Sequence, residues 1–318
     1  MSRWIDSALI TSIKERDVKK LENVYNSLIR EGVVLPHRWQ PIDDSGVTAL
    51  HLANKSTPSV LSFLLKQIPD DPSPVDHRGW TPLHLASKNN KPQHVCLLLA
   101  AGANPAALDQ LGGLTPLHLA ARNNAVAVLN EVLIFIKTLP SSTHDSNRNM
   151  MIGDKNGSTP LHWACIKGHA GAVEILLLII KKLSCDVLNV ENADQKTALQ
   201  IAAESKCEQA VQLLLDAGSD AFRRTNNLAA RDLIRVEWPR LAVHPKVIDP
   251  ISLDFRGSNF SDEDAVSWPW AEFASTCKKI DLTDTNLTLL PLGLSAFLNG
   301  AVETIRLDDS KFCLDRSA

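Results

Sequence analysis

Across residues 41–235, short apolar stretches recur in pairs, each pair opened by a threonine and separated from the next by a polar turn. The first stretch of a pair reads Thr81-Pro82-Leu83-His84-Leu85-Ala86, then Thr115-Pro116-Leu117-His118-Leu119-Ala120, then Thr159-Pro160-Leu161-His162-Trp163-Ala164. Weaker copies are Thr48-Ala49-Leu50-His51-Leu52-Ala53 upstream and Thr197-Ala198-Leu199-Gln200-Ile201-Ala202 downstream. The pattern predicts a short helix capped by threonine, whose hydroxyl accepts a backbone N–H of the first turn. Proline at the next position loses no hydrogen bond and presets the helical dihedral. Ala86, Ala120, Ala164 and Ala202 fall in register, as expected where helices of adjacent units approach closely. A second helix is predicted in each unit, over residues 94–99, 126–136, 173–180 and 210–215, with Gly102 and Gly218 as left-handed stops after two of them. Turn strings such as Asp76-His77-Arg78-Gly79 and Asp154-Lys155-Asn156-Gly157 join one pair to the next.

The threonines lie 33, 34, 44 and 38 residues apart. Spacing and motif resemble the ankyrin repeat, which has a period of about 33 residues and the motif T-P-L-H-x-A. The resemblance implies a mainly α solenoid in which turn tips and first-helix faces line a concave groove. Residues 1–40 are expected to be a degenerate opening cap: Asp6 or Ser7 caps a helix over residues 8–14, and a second helix covers 18–29. Residues 41–235 are the ankyrin array. It closes on a half-repeat over 220–234, where Ala229 sits 32 residues beyond Thr197 and Arg231 replaces the buried leucine. The 44-residue spacing inserts about eleven residues, placed at the polar string from Pro140 through Asn149 within the 140–153 insertion, and the 38-residue spacing adds about five around 181–189. Both are expected as surface loops, either on a binding face or of no functional consequence.

Past Arg235 the pattern changes. Trp238-Pro239, Pro245 and Pro250 break helices and mark residues 236–265 as a linker or docking segment. Ile280-Asp281-Leu282-Thr283-Asp284-Thr285-Asn286-Leu287-Thr288-Leu289-Leu290-Pro291 follows the spacing L-x-L-x-x-N-x-L-x-x-L-P. A second copy opens 25 residues on, at Ile305-Arg306-Leu307, and a weaker one stands at Leu253-Asp254-Phe255. Thr285 and Ser310 occupy the usual asparagine position. Residues 266–318 are therefore expected to start a short, incomplete leucine-rich-repeat (α/β) segment, less stable than the array. So short a solenoid leaves its last strand edge uncovered, so the chain is expected to be part of something longer or to have that end covered. Trp268-Pro269-Trp270, Cys277-Lys278-Lys279-Ile280-Asp281-Leu282 and Leu290-Pro291 resemble the ankyrin-to-leucine-rich junction of animal leucine-rich-repeat kinases of the Roco type. That resemblance implies a regulatory or autoinhibitory role toward GTPase and kinase domains. It transfers no activity, because the G-x-x-x-x-G-K-[ST], H-R-D and D-F-G strings do not occur.

Composition changes the picture mainly by exclusion. Apolar residues at 44% and charged residues at 22% are ordinary for a globular chain, and the net charge of −3 argues against nucleic acid or an anionic membrane as partner. The six cysteines contain no C-x-x-C pair, which fits reduced thiols in the cytoplasm. The apolar run 175–180 stops at Lys181-Lys182, far short of the ~20 residues that span a bilayer, so no membrane insertion is expected.

His51, His84, His118 and His162 invite a metal hypothesis. Stacked helix axes stand roughly 8–10 Å apart, whereas zinc–nitrogen bonds are about 2.0–2.1 Å. The imidazoles are instead expected to bond the neighbouring turn. Cys165 is expected on the exposed side of its helix near Lys167, but no general base accompanies it. Gly112-Gly113 belongs to a turn, and no G-x-S-x-G elbow occurs. The sequence thus predicts no catalytic residue, no cofactor and no metal site. Lys55, Lys88 and Arg122 each follow their threonine by seven residues, a row that Ile166 and Glu204 break. Trp80 and Leu114 stand just before their capping threonines, with Arg78 and Leu111 nearby. Arg78, Trp80, Leu111, Leu114 and Lys155, with Lys88 and Arg122, are the predicted partner-binding residues for a protein or peptide ligand. The competing reading packs the tips against their neighbours and leaves the basic row solvated. The expected function is a non-enzymatic interaction scaffold or adaptor.

Overall fold

The computed structural model describes residues 2–30, 41–67, 71–140 and 148–221, and short pieces at 224–225, 228–230, 234, 252–254, 279–281 and 304–306. It divides into two compact units, Met1–Ala198 and Leu199–Ala318.

The first unit opens with α1 (Ser2–Glu15) and α2 (Val18–Arg30). α1 starts six residues before the predicted position, so Asp6 and Ser7 lie inside the helix rather than ahead of it. Four helix pairs follow: α3 (Ala49–Ala53) with α4 (Pro58–Gln67), α5 (Pro82–Lys88) with α6 (Pro92–Ala100), α7 (Pro116–Arg122) with α8 (Val126–Thr138), and α9 (Pro160–Ile166) with α10 (Ala170–Leu183). α3, α5, α7 and α9 pack in one row, and α2, α4, α6, α8 and α10 in a second row against it. Each first helix starts where the threonine holds an extended backbone: Thr81, Thr115 and Thr159 have φ of −91°, −86° and −75°. Proline follows directly, so the unpaired first N–H groups are fewer from the outset.

Alanine at the fifth position after the threonine is what lets the first-helix row close up. Ala53, Ala86, Ala120 and Ala164 are fully buried. The second helices supply the bulk of the core, with Val60, Leu61, Val95, Leu98, Val128, Leu129, Val173, Leu176 and Ile179 all inaccessible to solvent. The long insertion contributes to this core as well. Residues 141–147 lie outside the described residues, but Asn149–Met151 form a turn of 3-10 helix that buries Met150 and Met151 completely. The Met150 carbonyl accepts from the Thr115 hydroxyl at 3.1 Å, and Arg148 Nε donates to the Leu183 carbonyl at 3.0 Å. The 38-residue spacing is partly absorbed by helix: α10 has 14 residues against 9 in α6, and ends on Ser184 with φ +49°.

In the second unit, α11 (Ala198–Glu204) and α12 (Glu208–Asp216) bury Ala202, Val211, Leu214 and Leu215, and Gly218 stops α12 with φ +93°. Where a half-repeat is expected, β1 (Arg224–Thr225) and β2 (Leu228–Ala229) pair antiparallel, and Ala230 and Ile234 are buried beyond them. Three further strands, β3 (Ser252–Asp254), β4 (Lys279–Asp281) and β5 (Thr304–Arg306), form a parallel sheet in the order β3-β4-β5. Leu253 pairs with Ile280 and Ile280 with Ile305, and Ile280 is buried. Arg231, the expected linker apart from β3, and most of 266–318 lie outside the described residues. Among the described residues no helix is long and apolar enough to cross a membrane.

Candidate functional site

The turn before each capping threonine is organised by one side chain. Asp76 Oδ1 accepts from the Arg78 and Trp80 amides at 2.9 and 2.8 Å. Asp109 Oδ1 takes Gly112 and Leu114 at 2.8 and 2.9 Å, and Asp154 Oδ1 takes Asn156 and Ser158, both at 2.9 Å. Asn192 does the same for Asp194 and Lys196. Only a short side chain with an acceptor oxygen folds back this way, so aspartate or asparagine is needed at this position. Successive tips are then tied edge to edge by backbone hydrogen bonds: His77 N–H to Ser45, Gln110 N–H to Arg78, Lys155 N–H to Gly112 and Ala193 N–H to Asn156. The approach is close enough that glycine is required. Gly79 has φ +76°, and a Cβ there would stand 2.7 Å from the Gln110 nitrogen.

A second ladder runs beneath the tips. The Thr48, Thr81, Thr115 and Thr159 amides donate to Nδ1 of His51, His84, His118 and His162 at 3.0–3.2 Å. An amide can only donate, so Nδ1 carries no proton and the hydrogen sits on Nε2. Nε2–H then reaches into the next repeat and donates to the carbonyls of Trp80, Leu114, Ser158 and Lys196 at 2.8, 3.0, 2.9 and 3.1 Å. Both ring nitrogens are thereby committed to structure, as the sequence predicts. Burial pushes all four imidazoles below their ordinary value, His118 down to about 4. Among the described residues no group of histidine, cysteine or carboxylate side chains is arranged to hold a metal ion.

The ladder engages the residue before each threonine through its carbonyl alone, so the side chain there is free to vary. It is Trp80, Leu114, Ser158 and Lys196 in successive repeats. Trp80 is half-buried, stacks on His84 with ring centroids 6.5 Å apart, and donates its indole N–H to Asp109 Oδ2 at 3.2 Å. Lys88 Nζ lies 4.7 Å above the Trp80 ring. The same construction recurs one repeat further on: Trp163 donates to Asp154 Oδ2 at 2.9 Å, and the Arg122 guanidinium lies 5.1 Å from its ring. The two units adjoin, because Asn123 Nδ2 donates to the Lys88 carbonyl at 3.4 Å.

The structure therefore joins Trp80 to Lys88, and Lys155 to the tip carrying Leu111: Lys155 Nζ donates to the Gln110 and Leu111 carbonyls at 2.6 and 2.9 Å. Leu111 is 69% exposed at that tip, while Leu114 is half-buried. Arg78 is exposed, with only its backbone engaged among the described residues. Arg122 pairs with Trp163, which the sequence reading did not select. Its signal was visible, since Trp163 stands where the other copies have Leu52, Leu85, Leu119 and Ile201. Asp109 and Asp154 were also missed as indole acceptors. The expected exposure of Cys165 is wrong: it is fully buried, because its position, six residues after the threonine, faces the core. Ser87, Ala121 and Ala203 occupy the same position and are buried too.

Comparison with known proteins gives this arrangement its context. A family model described as ankyrin repeats (3 copies) matches residues 18–109, 71–138, 90–187 and 135–225. Over 91 residues the chain is 34% identical to a mouse (Mus musculus) protein described as B-cell lymphoma 3 protein homolog, a match covering 28% of this chain and 20% of that protein. The chain thus spans about a fifth of that curated relative. The crystal structure of the ankyrin repeat domain of Bcl-3, described as a unique member of the IkappaB protein family, superimposes with a TM-score of 0.57 at 22% identity. It covers 71% of this chain and 92% of that one, a likeness of fold. With its family model covering most of the chain, and with the threonine–histidine ladder and the tip loops repeating on the same period, the protein belongs to the ankyrin-repeat family.

Proposed function

We propose that this chain is a non-enzymatic, cytoplasmic adaptor that binds a partner protein through the concave strip formed by its turn tips and first helices, with Arg78, Trp80, Leu111, Leu114, Lys155, Lys88 and Arg122 contributing. The observation that carries this reading is Leu111, exposed on a tip held by Lys155 Nζ and joined to the tip of Trp80 through the Gln110 N–H to Arg78 carbonyl bond. Nothing in the ladders calls for a large apolar group there, and tryptophan and arginine are the residue types that dominate interface energies. A preformed surface also binds with little ordering cost. The test is affinity capture from extract with the intact chain, Trp80→Ala/Leu114→Ala and Leu111→Ser, each confirmed as folded. A partner retained by the intact chain and lost by both variants supports the strip. Equal capture by all three refutes it.

A second reading rests on the parallel register of β3, β4 and β5. Their pairing of Leu253, Ile280 and Ile305 gives steps of 27 and 25 residues, inside the 20–29 of a leucine-rich repeat. This supports leucine-rich coils after the array, and with them a regulatory part of a Roco-type GTPase and kinase. A reading frame that continues into P-loop and kinase motifs would favour it. A stable, monomeric 318-residue product in cells would favour the adaptor.

A further inference from the structure

The chemistry of the strip narrows the kind of partner it fits. The two carboxylates beside the rings are turned inward and spent: Asp109 and Asp154 are 5% and 9% exposed, each with one oxygen on two amides and the other on an indole. The strip's cations face outward. Lys88 and Arg122 are exposed, sit on the Trp80 and Trp163 rings, and meet no carboxylate among the described residues. Resting on a π face holds a cation in place while leaving its outward N–H groups open to a second acceptor. The chain as a whole carries a net charge of −3, so this positive strip is a local feature set against the overall charge.

Resting on the strip being the binding surface, we propose that it takes an extended acidic segment of a partner protein, with carboxylates on Lys88 and Arg122 and an aliphatic side chain against Leu111. The dimensions agree. One repeat interval separates the Lys88–Trp80 and Arg122–Trp163 pairs, roughly 8–10 Å at ordinary helix spacing. Neighbouring helix ends about 10 Å apart set the two carboxylates about three residues apart. Arg122 can meet a carboxylate with two parallel N–H donors, which favours a planar acid over a neutral amide.

The test uses the full chain labelled with 5-fluorotryptophan, its Trp80 and Trp163 fluorine signals assigned by Trp→Phe variants. The probes are three fluorescein-labelled 12-residue peptides with leucine at every third position and glutamate, glutamine or lysine elsewhere. The glutamate peptide is expected to bind at least tenfold more tightly than either of the others. It is expected to move the Trp80 and Trp163 signals, to weaken as salt rises from 50 to 200 mM, and to lose at least tenfold with Lys88→Glu/Arg122→Glu. Equal binding of the glutamine peptide, or tighter binding of the lysine peptide at the same two signals, overturns the charge inference and leaves the strip as a surface. Absence of any shift at Trp80 and Trp163 with all three peptides overturns the inference together with the surface. A 12-nucleotide oligothymidine that binds more tightly than the glutamate peptide overturns it in favour of nucleic acid.

Discussion

Replacing His118 by glutamine is expected to flatten the acid side of the stability profile while leaving the fold intact. His118 is 1% exposed, accepts the Thr115 amide at Nδ1 and donates to the Ser158 carbonyl from Nε2. Protonating Nδ1 would set two donors against each other, and burial already holds the group at about 4 against its ordinary 6.5. The folded value lies below the unfolded one. Between pH 6.5 and about 4 the unfolded chain therefore binds a proton that the folded chain refuses. Stability is full above 6.5 and is lost as pH falls through that window. From 6.5 to about 4, at about 1.4 kcal/mol per pH unit, the whole effect is about 3 kcal/mol. About 2 kcal/mol of it is lost between pH 7.5 and 5.0, above the ordinary carboxylate range. Gln200 occupies the same position in a later repeat and is buried there, so glutamine is sterically acceptable. Urea unfolding followed by far-UV circular dichroism at pH 7.5 and 5.0 reads the difference. His118→Gln is expected to lose about 1–2 kcal/mol at pH 7.5 through poorer hydrogen bonding. It is also expected to lose about 2 kcal/mol less than the parent on acidification. His51, His84 and His162 act in the same direction in both proteins, so the difference isolates His118. Identical pH dependence in the two would refute the reasoning.

Other substitutions probe the tips and the core. Gly79→Ala combines φ +76° with a Cβ 2.7 Å from the Gln110 nitrogen, and a loss of about 2 kcal/mol in urea unfolding is expected; an unchanged midpoint would mean the tips are not so closely joined. Asp154→Ala removes the acceptor of two amides and of the Trp163 indole, at about 2–3 kcal/mol. Asp154→Asn keeps the two amide bonds, as Asn192 does one repeat later, so equal losses in the two variants would contradict the loop geometry. Cys96 is exposed and Cys165 buried, so iodoacetamide is expected to modify Cys96 in the native protein and Cys165 only after unfolding, read by peptide mass spectrometry. Equal native rates would contradict the burial of Cys165.

The array was legible because its interactions are periodic. Threonine, histidine and the buried alanine each fill one position in one ladder, so the spacing alone places them, including the imidazoles that bond the next turn. What escaped depends on contacts that the period does not carry. Met150 and Met151 sit at the end of a polar insertion, and only the folded chain reveals that they fill the space under Thr115. The Trp163–Arg122 pair joins two repeats, so neither residue looks unusual within its own repeat except through the leucine that Trp163 replaces. Cys165 was misjudged by its neighbour Lys167, when the small residues Ser87 and Ala121 at the same position were the better guide. Of the seven predicted binding residues, Trp80 with Lys88 and Lys155 with the Leu111 tip come together directly, whereas Arg78 engages through its backbone.

The most direct test of the strip as the binding surface is hydroxyl-radical footprinting of the intact chain, alone and with the partner recovered by capture. Trp80, Leu111 and Trp163 are expected to lose reactivity in the complex, while Ile134 and Leu178, exposed on α8 and α10, keep theirs. Unchanged oxidation of Trp80, Leu111 and Trp163, with protection moving to Ile134 and Leu178, would contradict it.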